Sequence, residues 1–421
     1  MAERTADAAP DASMRSGGLS ACLFAAARTG PQRTALRDSG DRAAWCGRPP
    51  ITWTYAAAAE IVGRLARGIG AWRLPAGSRV GLWFSGGAES ALAHLAVEAA
   101  GHLPCPMPAL WEAEQLSAGI ASAGLVAVLT EGRRGARRPA EDLTRAAMGH
   151  FGLRYLAAFG PGIPDGVISL DAMALERGVV EPVASLGLVT FAAGDPGRPV
   201  YRSAAALAAA IDVHLGALAV TAEERILTLL PAHDLRGLVT GLGAALAVGA
   251  SIETVIPFDE AGFRAALMRP VPTRLVVPSL VETALAALPL PWTVRSLHVV
   301  HRAPARVLAS ALPESAGPRR IDSLVFDEDA VLTRPGGNDL AATLAATLAD
   351  PARAPLPRAL LDLAFLDLGD DEDGSLAYRG LACATAALPR SGVPEPDAAA
   401  WRDSGYRPIL SGGIATGIEA V

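Results

Sequence analysis

From Leu19 to Val300 the chain alternates segments of helical period with short apolar runs, and this alternation narrows the fold more than any other feature. Between Thr54 and Trp72, Ile61, Leu65 and Ile69 recur four residues apart, the spacing of one helix face. The run Val80–Phe84 follows as a buried strand. Glu89–Ala100 is again helical, with Leu92, Leu95 and Ala99 on one side. A helix around Leu116 and Ile120 leads into a strand at Leu125–Leu129. After a weaker stretch from Glu131 to Leu186, the alternation resumes with a strand at Leu188–Phe191 and a helix bearing Leu207, Ile211 and Leu215. Next come a strand at Ile226–Leu230, an apolar helix at Leu238–Val248, and strands at Leu275–Val277 and Leu297–Val300. Such alternation predicts α/β layers around largely parallel sheets. From about Ser323 the texture becomes strand-rich, and Leu361–Leu368, the turn Asp370–Gly374 and Ser375–Arg379 predict a β-hairpin.

The expected organisation is a polar, disordered N-terminus over residues 1–17, a first α/β subdomain over 18–185, a second over 186–322, and a β-rich subdomain over 323–421. With 421 residues and 51% hydrophobic residues, the chain can bury substantial cores. A net charge of −6 gives no overall attraction to nucleic acid. No apolar run is long enough for a membrane span and no secretory signal is convincing, so the expected location is cytoplasmic.

All 37 basic residues are arginine. Without lysine there can be no Schiff base, no Walker-type phosphate lysine and no lysine acid or base. Cys22, Cys46, Cys105 and Cys383 are too scattered for a disulfide framework or a Cys-x-x-Cys metal site, and the seven histidines show no HxxxH or HExxH spacing. His298 and His301 read as the end of a buried strand. Arg133, Arg134, Arg137 and Arg138 form a basic cluster whose first reading is a solvated loop and whose second is an anion-binding patch. The acidic turn at 370–374 lacks the acid spacing of a calcium loop. There is no Gly-x-Ser-x-Gly elbow, and Gly241-Leu-Gly243 lacks the third glycine of a dinucleotide fingerprint.

A small-residue loop, Thr190-Phe-Ala-Ala-Gly-Asp-Pro-Gly-Arg-Pro-Val200, lies between the Leu188–Phe191 strand and the next helix. Loops of this kind can present backbone N–H groups to phosphate. Further blocks occur in order: Ile51-Thr-Trp-Thr-Tyr55 with Pro75-Ala-Gly-Ser-Arg-Val80, then Leu229-Leu-Pro-Ala-His-Asp-Leu-Arg-Gly-Leu238 with Gly249-Ala250. Val277-Pro-Ser279, Tyr378-Arg-Gly380 and Trp401-Arg-Asp-Ser-Gly405 complete the series. Together they resemble the adenylate-forming (ANL) superfamily of acyl- and aryl-CoA synthetases, peptide-synthetase adenylation domains and luciferases, over nearly the whole chain from Leu19.

The resemblance implies the large N-terminal body of that fold, with two packed αβ-layered subdomains of mixed, largely parallel sheets and a smaller β-rich one. It places a remnant nucleotide site at Gly194, Gly197, Arg198, Asp329 and Gly405, and a substrate pocket at His233, Asp234 and Gly237. It also exposes departures. Ala193, Asp195 and Pro196 stand where the family's loop has hydroxyls, and Val200 stands where it has lysine. Arg302, in His301-Arg-Ala-Pro304, brings a bulky side chain to the adenine step. Val325-Phe-Asp-Glu-Asp329 keeps only acidity for the magnesium-associated glutamate, and Tyr406 replaces the ribose-binding aspartate. The family's small lid domain with its lysine has no counterpart before Val421.

These losses lead to the expectation of no catalytic residue, no metal and no cofactor: a degenerate synthetase-like protein that binds an acyl or aryl carboxylate or thioester, or a partner protein. The partner classes considered are a paralogous ligase, an acyl carrier protein and a lid-domain protein. The alternative is an active AMP-forming ligase using ATP and Mg2+, its lid supplied by another chain, with Arg198 and Arg202 replacing the lost positive charge.

Overall fold

The computed structural model describes residues 12–38, 40, 42–178, 180, 182–286, 288–302, 306–308, 318–335, 360–366, 374–411 and 414–421. Two parallel sheets dominate. The smaller has five strands in the order Leu103–Pro106, Arg79–Trp83, Ala127–Glu131, Tyr155–Phe159, Ile168–Ser169, all parallel. The larger has eight, in the order Ala330–Pro335, Arg319–Phe326, Val294–Arg302, Thr273–Pro278, Arg225–Thr228, Ser251–Thr254, Thr34–Asp38, Thr52–Thr54. Only its two outermost pairings are antiparallel.

Burial on both faces explains the uninterrupted apolar runs. Side chains alternate across a strand, so Leu82, Ala127 and Leu129 face a shared core while Trp83 and Val128 pack on the opposite side. In the large sheet Ile226, Val276 and Val300 join the same shared core, and Leu227, Leu275, Val277 and Val299 face away from it. Helices Ala12–Thr29, Tyr55–Gly70, Gly87–Ala99 and Ala204–Gly216 contribute to that core from both sheets. Ala113–Ala123 and Pro139–Ala147 cover the outer face of the small sheet, and Glu260–Leu267 that of the large one. Thr54 caps its helix, its side chain accepting from Ala57 N at 3.2 Å.

Several expectations change. Residues 12–17, expected to be disordered, are helical, and a break at Gly18 (φ 76°, ψ −166°) separates them from the helix that begins at Leu19. The weak stretch after Glu131 contains a helix, Pro139–Ala147, and the strand Tyr155–Phe159. Thr34–Asp38 and Thr52–Thr54 pair in the large sheet, the first beside a strand some two hundred positions later, so the two sheets are not consecutive along the chain. Arg134 is buried, not solvated: Nε pairs with Glu131 at 2.7 Å and NH2 donates to the Trp83 carbonyl at 3.1 Å. His298 and His301 do lie on a strand, Val294–Arg302. The expected hairpin appears as the antiparallel pair Asp362–Leu366 and Ser375–Arg379. Its acidic turn, residues 370–373, lies outside the described residues, as do Ala303 and Pro304. Among the described residues no helix is long and apolar enough to cross a membrane.

Candidate functional site

The small-residue loop joins two strands, not a strand and a helix. Leu188–Phe191 pairs antiparallel with Pro199–Arg202, and the helix Ala204–Gly216 begins only after that second strand. No helix N-terminus therefore stands directly behind the loop. Several of its donors are also engaged. Asp195 Oδ1 accepts the N–H of Gly197 at 2.8 Å. Asp327, from the turn between strands Arg319–Phe326 and Ala330–Pro335, accepts the N–H of Ala193. The carbonyl of Gly194 accepts Trp111 Nε1 at 3.0 Å, and Arg198 NH2 lies 3.6 Å from Asp327 Oδ2. Pro196 has no N–H to give.

The three acids of that turn go to three different elements. Asp327 holds the loop. Glu328 Oε2 accepts the N–H of Leu235 at 2.8 Å. Asp329 accepts the Tyr378 hydroxyl at 3.2 Å and the Thr385 hydroxyl, with Arg402 NH1 3.9 Å away. The sequence pointed to Asp329 as the remnant acid of the nucleotide site. In the structure Asp329 ties the turn to the β-rich region, and its neighbour Glu328 lies against Asp234 and Thr190. Only the register of a tight turn separates the two, and acidity alone does not reveal register.

His233, Asp234 and Gly237 do come together. Asp234 caps the short helix Leu235–Gly237, its Oδ1 accepting Gly237 N at 3.2 Å. Its Oδ2 takes a two-pronged contact from Arg236, at 2.9 and 2.6 Å, and lies 3.8 Å from both His233 Nε2 and Arg302 NH1. Burial raises the Asp234 carboxyl, and His233, Arg236 and Arg302 more than reverse that, leaving it below the ordinary carboxylate range. Burial lowers the His233 imidazole. Burial, then the charge of Asp234, pushes Glu328 up to about 8, so at neutral pH it is largely a neutral acid. Among the described residues, two buried nitrogens of this cluster have no hydrogen-bond partner, Arg302 NH2 and His233 Nδ1.

Gly237 is there for space: a Cβ would sit 1.9 Å from the Pro231 carbonyl oxygen. It also edges a narrow crevice with Gly86, Gly87, Leu230, Ala232 and Leu242, whose volume of about 20 Å3 admits a water or two. Gly405 is separate from the loop; its N–H is taken by Asp403 Oδ1 at 2.9 Å and its φ is 72°. Arg202 is spent on structure. It is fully buried and donates to the carbonyls of Ala382, Glu328 and Asp329. Among the described residues no group of His, Cys, Asp and Glu could hold a metal ion.

The architecture was then compared with known proteins. Residues 23–155 match the model of the AMP-binding enzyme family. The O-succinylbenzoate coenzyme A synthetase of Bacillus subtilis, solved with ATP and magnesium ion, superposes with a TM-score of 0.66 at 12% identity, over 95% of this chain and 98% of that one. The chain has the adenylate-forming fold. A benzoate CoA ligase from Burkholderia xenovorans LB400 aligns with a TM-score of 0.69 at 16% identity, covering 96% of this chain and 79% of the ligase. The amide bond synthetase McbA from Marinactinospora thermotolerans gives 0.67 at 17%, covering 95% and 78%. No curated protein matches the sequence. Within this adenylate-forming fold, the family match covers the small sheet up to the start of its fourth strand. The loop, the His233–Gly237 segment and the 327–329 turn lie beyond the matched residues.

The chain's own acids stand where a bare triphosphate would sit. The loop's N–H groups at positions 193 and 197 already hold carboxylates, and a triphosphate seated there would meet Asp195 and Asp327. Two like charges about 4 Å apart repel by roughly 1 kcal/mol in bulk water and by several times that near a protein surface.

Proposed function

We propose that this chain is a synthetase-like protein of the adenylate-forming fold that has lost ATP-dependent carboxylate activation and acts by binding. The observation that carries this reading is the occupation of the phosphate-type loop by the chain's own acids, Asp327 on Ala193 N and Asp195 on Gly197 N. The substitution of Arg302 into the Asp234 cluster supports it, because that guanidinium fills space beside the acid instead of leaving it open. So does the commitment of Arg202 to three carbonyls, which withdraws the charge that might have replaced a lysine.

What the protein would bind is narrowed by the crevice at Gly237. Pockets for small molecules are usually about 300–1,000 Å3, far above the 20 Å3 present. No buried acyl or aryl group fits at this crevice, which favours a partner protein at this site. A paralogous ligase, an acyl carrier protein or a lid-domain protein would each suit a protein that keeps the body of the fold without its chemistry.

The test is ATP–pyrophosphate exchange by the purified chain across a panel of aliphatic and aromatic carboxylates. No carboxylate-dependent exchange is expected. Robust exchange by the chain alone overturns the reading. Exchange that appears only on adding a second protein also overturns it, in favour of a ligase completed in trans.

A further inference from the structure

We infer that Asp327 is an autoinhibitory plug: it occupies an anion seat on the 192–198 loop, and removing it opens that seat to a phosphate-type anion. This inference rests on the proposed loss of nucleotide binding and adds its immediate cause.

Three observations converge. First, Ala193 and Asp327 are two of only three non-glycine residues with positive φ among those described, at 51° and 45°. Left-handed backbone at such residues is unfavourable and persists only where surrounding contacts enforce it. Here the two strained residues meet each other, through the Ala193 N–H and Asp327 Oδ1. Second, the other carboxylate oxygen faces Arg198, whose side chain is 60% exposed and has no other acid within ion-pair distance among the described residues. An outward backbone N–H and a guanidinium around one carboxylate make the donor set that would receive a phosphate oxygen. Third, the plug cannot drift away with its turn. Arg202 grips the carbonyls of Glu328 and Asp329 at 2.8 and 2.6 Å, and Glu328 is tied to Leu235. Asp195 stays on the Gly197 N–H, away from the seat formed by the Ala193 N–H and Arg198, so only the Asp327 side chain has to leave for that seat to open.

The conformation also selects the variants. Glycine adopts positive φ without penalty and asparagine does so more readily than most residues. Asp327→Gly removes the plug and relieves the backbone, and Asp327→Asn removes the charge at nearly constant shape. The probe is inorganic pyrophosphate, titrated into the full chain at constant ionic strength. Thermal unfolding and tryptophan fluorescence are the readouts, since Trp111 Nε1 is bonded to Gly194 within the loop.

The wild type is expected to give no saturable response at millimolar pyrophosphate. Asp327→Gly is expected to give one, at an affinity at least about tenfold beyond the wild-type limit, equivalent to about 1.4 kcal/mol. Adding Arg198→Ala to that variant should abolish the response. A folded Asp327→Gly that stays silent overturns the plug, while the loss of nucleotide binding still stands. Saturable binding by the wild type at the variant's affinity overturns both. Should the glycine variant fail to unfold cooperatively, Asp327→Ala, which also removes the acceptor, decides by the same criteria.

Discussion

Glu328 Oε2 receives the backbone N–H of Leu235 at 2.8 Å, and through that bond a strand-connecting turn of the large sheet holds the start of the segment that carries Asp234 and Arg236. The bond forms between a backbone donor and a carboxyl that burial and Asp234 keep protonated to about 8. A neutral acid accepts one such bond without setting a second negative charge beside Asp234.

The consequence is an alkaline loss of stability. The folded-state value of Glu328 lies above its unfolded value, so its contribution is complete below about pH 4.5 and disappears as pH rises through about 8. Each unit of such a shift corresponds to about 1.4 kcal/mol. Glu328→Gln keeps a neutral acceptor of the same shape. The variant should match the wild type near pH 5 and exceed it above pH 8, read from thermal melts across that range. Parallel curves for the two proteins would show that Glu328 is ionised throughout.

Arg202 carries a second prediction. The guanidinium is buried, and burial lowers its pKa even beside Asp329 and Glu328. Its three carbonyl contacts join strand Pro199–Arg202 to the 327–329 turn and to the 381–383 segment. Each buried acceptor left unpaired costs about 1–3 kcal/mol. Arg202→Ala should therefore lower stability by several kcal/mol. Arg202→Lys should be intermediate, because an ammonium lacks the planar fork that reaches acceptors in different directions. Chemical denaturation measures both. If Arg202 served instead as an anion receptor, Arg202→Ala would be nearly neutral for stability.

The sequence exposed the layers because strands buried on both faces must be apolar throughout. Leu82 and Trp83 point to opposite cores, yet both read as strand. It hid what depends on distant pairing. Nothing local in Thr34–Asp38 says that its neighbour is Ser251–Thr254. The loop after Phe191 was read as leading into a helix because Pro199–Arg202 is only four residues long and contains a proline. Proline is tolerated at the first position of a strand, which is where Pro199 sits. At the site, the grouping of His233, Asp234 and Gly237 was legible from adjacency. The separate destinations of Asp327, Glu328 and Asp329 were not, because they depend on the conformation of a tight turn whose first acid has a positive φ. Arg134 was masked by its neighbours: four arginines in six residues look solvated, although one of them pairs with Glu131 inside the protein.

The last prediction concerns a histidine that no functional reading uses. His94 lies within helix Gly87–Ala99, is 3% exposed, and neither ring nitrogen has a hydrogen-bond partner among the described residues. Burial lowers its pKa to about 4, so the folded chain holds it neutral while the unfolded chain protonates it near pH 6.5. Between those values the unfolded state binds the extra proton, and stability falls as pH falls. His298, lowered to about 3 by burial while its Nε2 contacts Ser323 at 2.7 Å, and His214, stacked on it at 5.0 Å, act in the same direction. Unlike those two, His94 gains no hydrogen bond in return for its burial. His94→Leu should therefore raise the melting temperature at pH 8, by removing unpaired polar atoms from the core, and raise it further at pH 5, where the protonation penalty also vanishes. The pH-dependent part has a ceiling of about 3 kcal/mol. A gain equal at both pH values would place the His94 proton equilibrium outside this window, and a loss at both would mean that the imidazole has a partner in the folded chain.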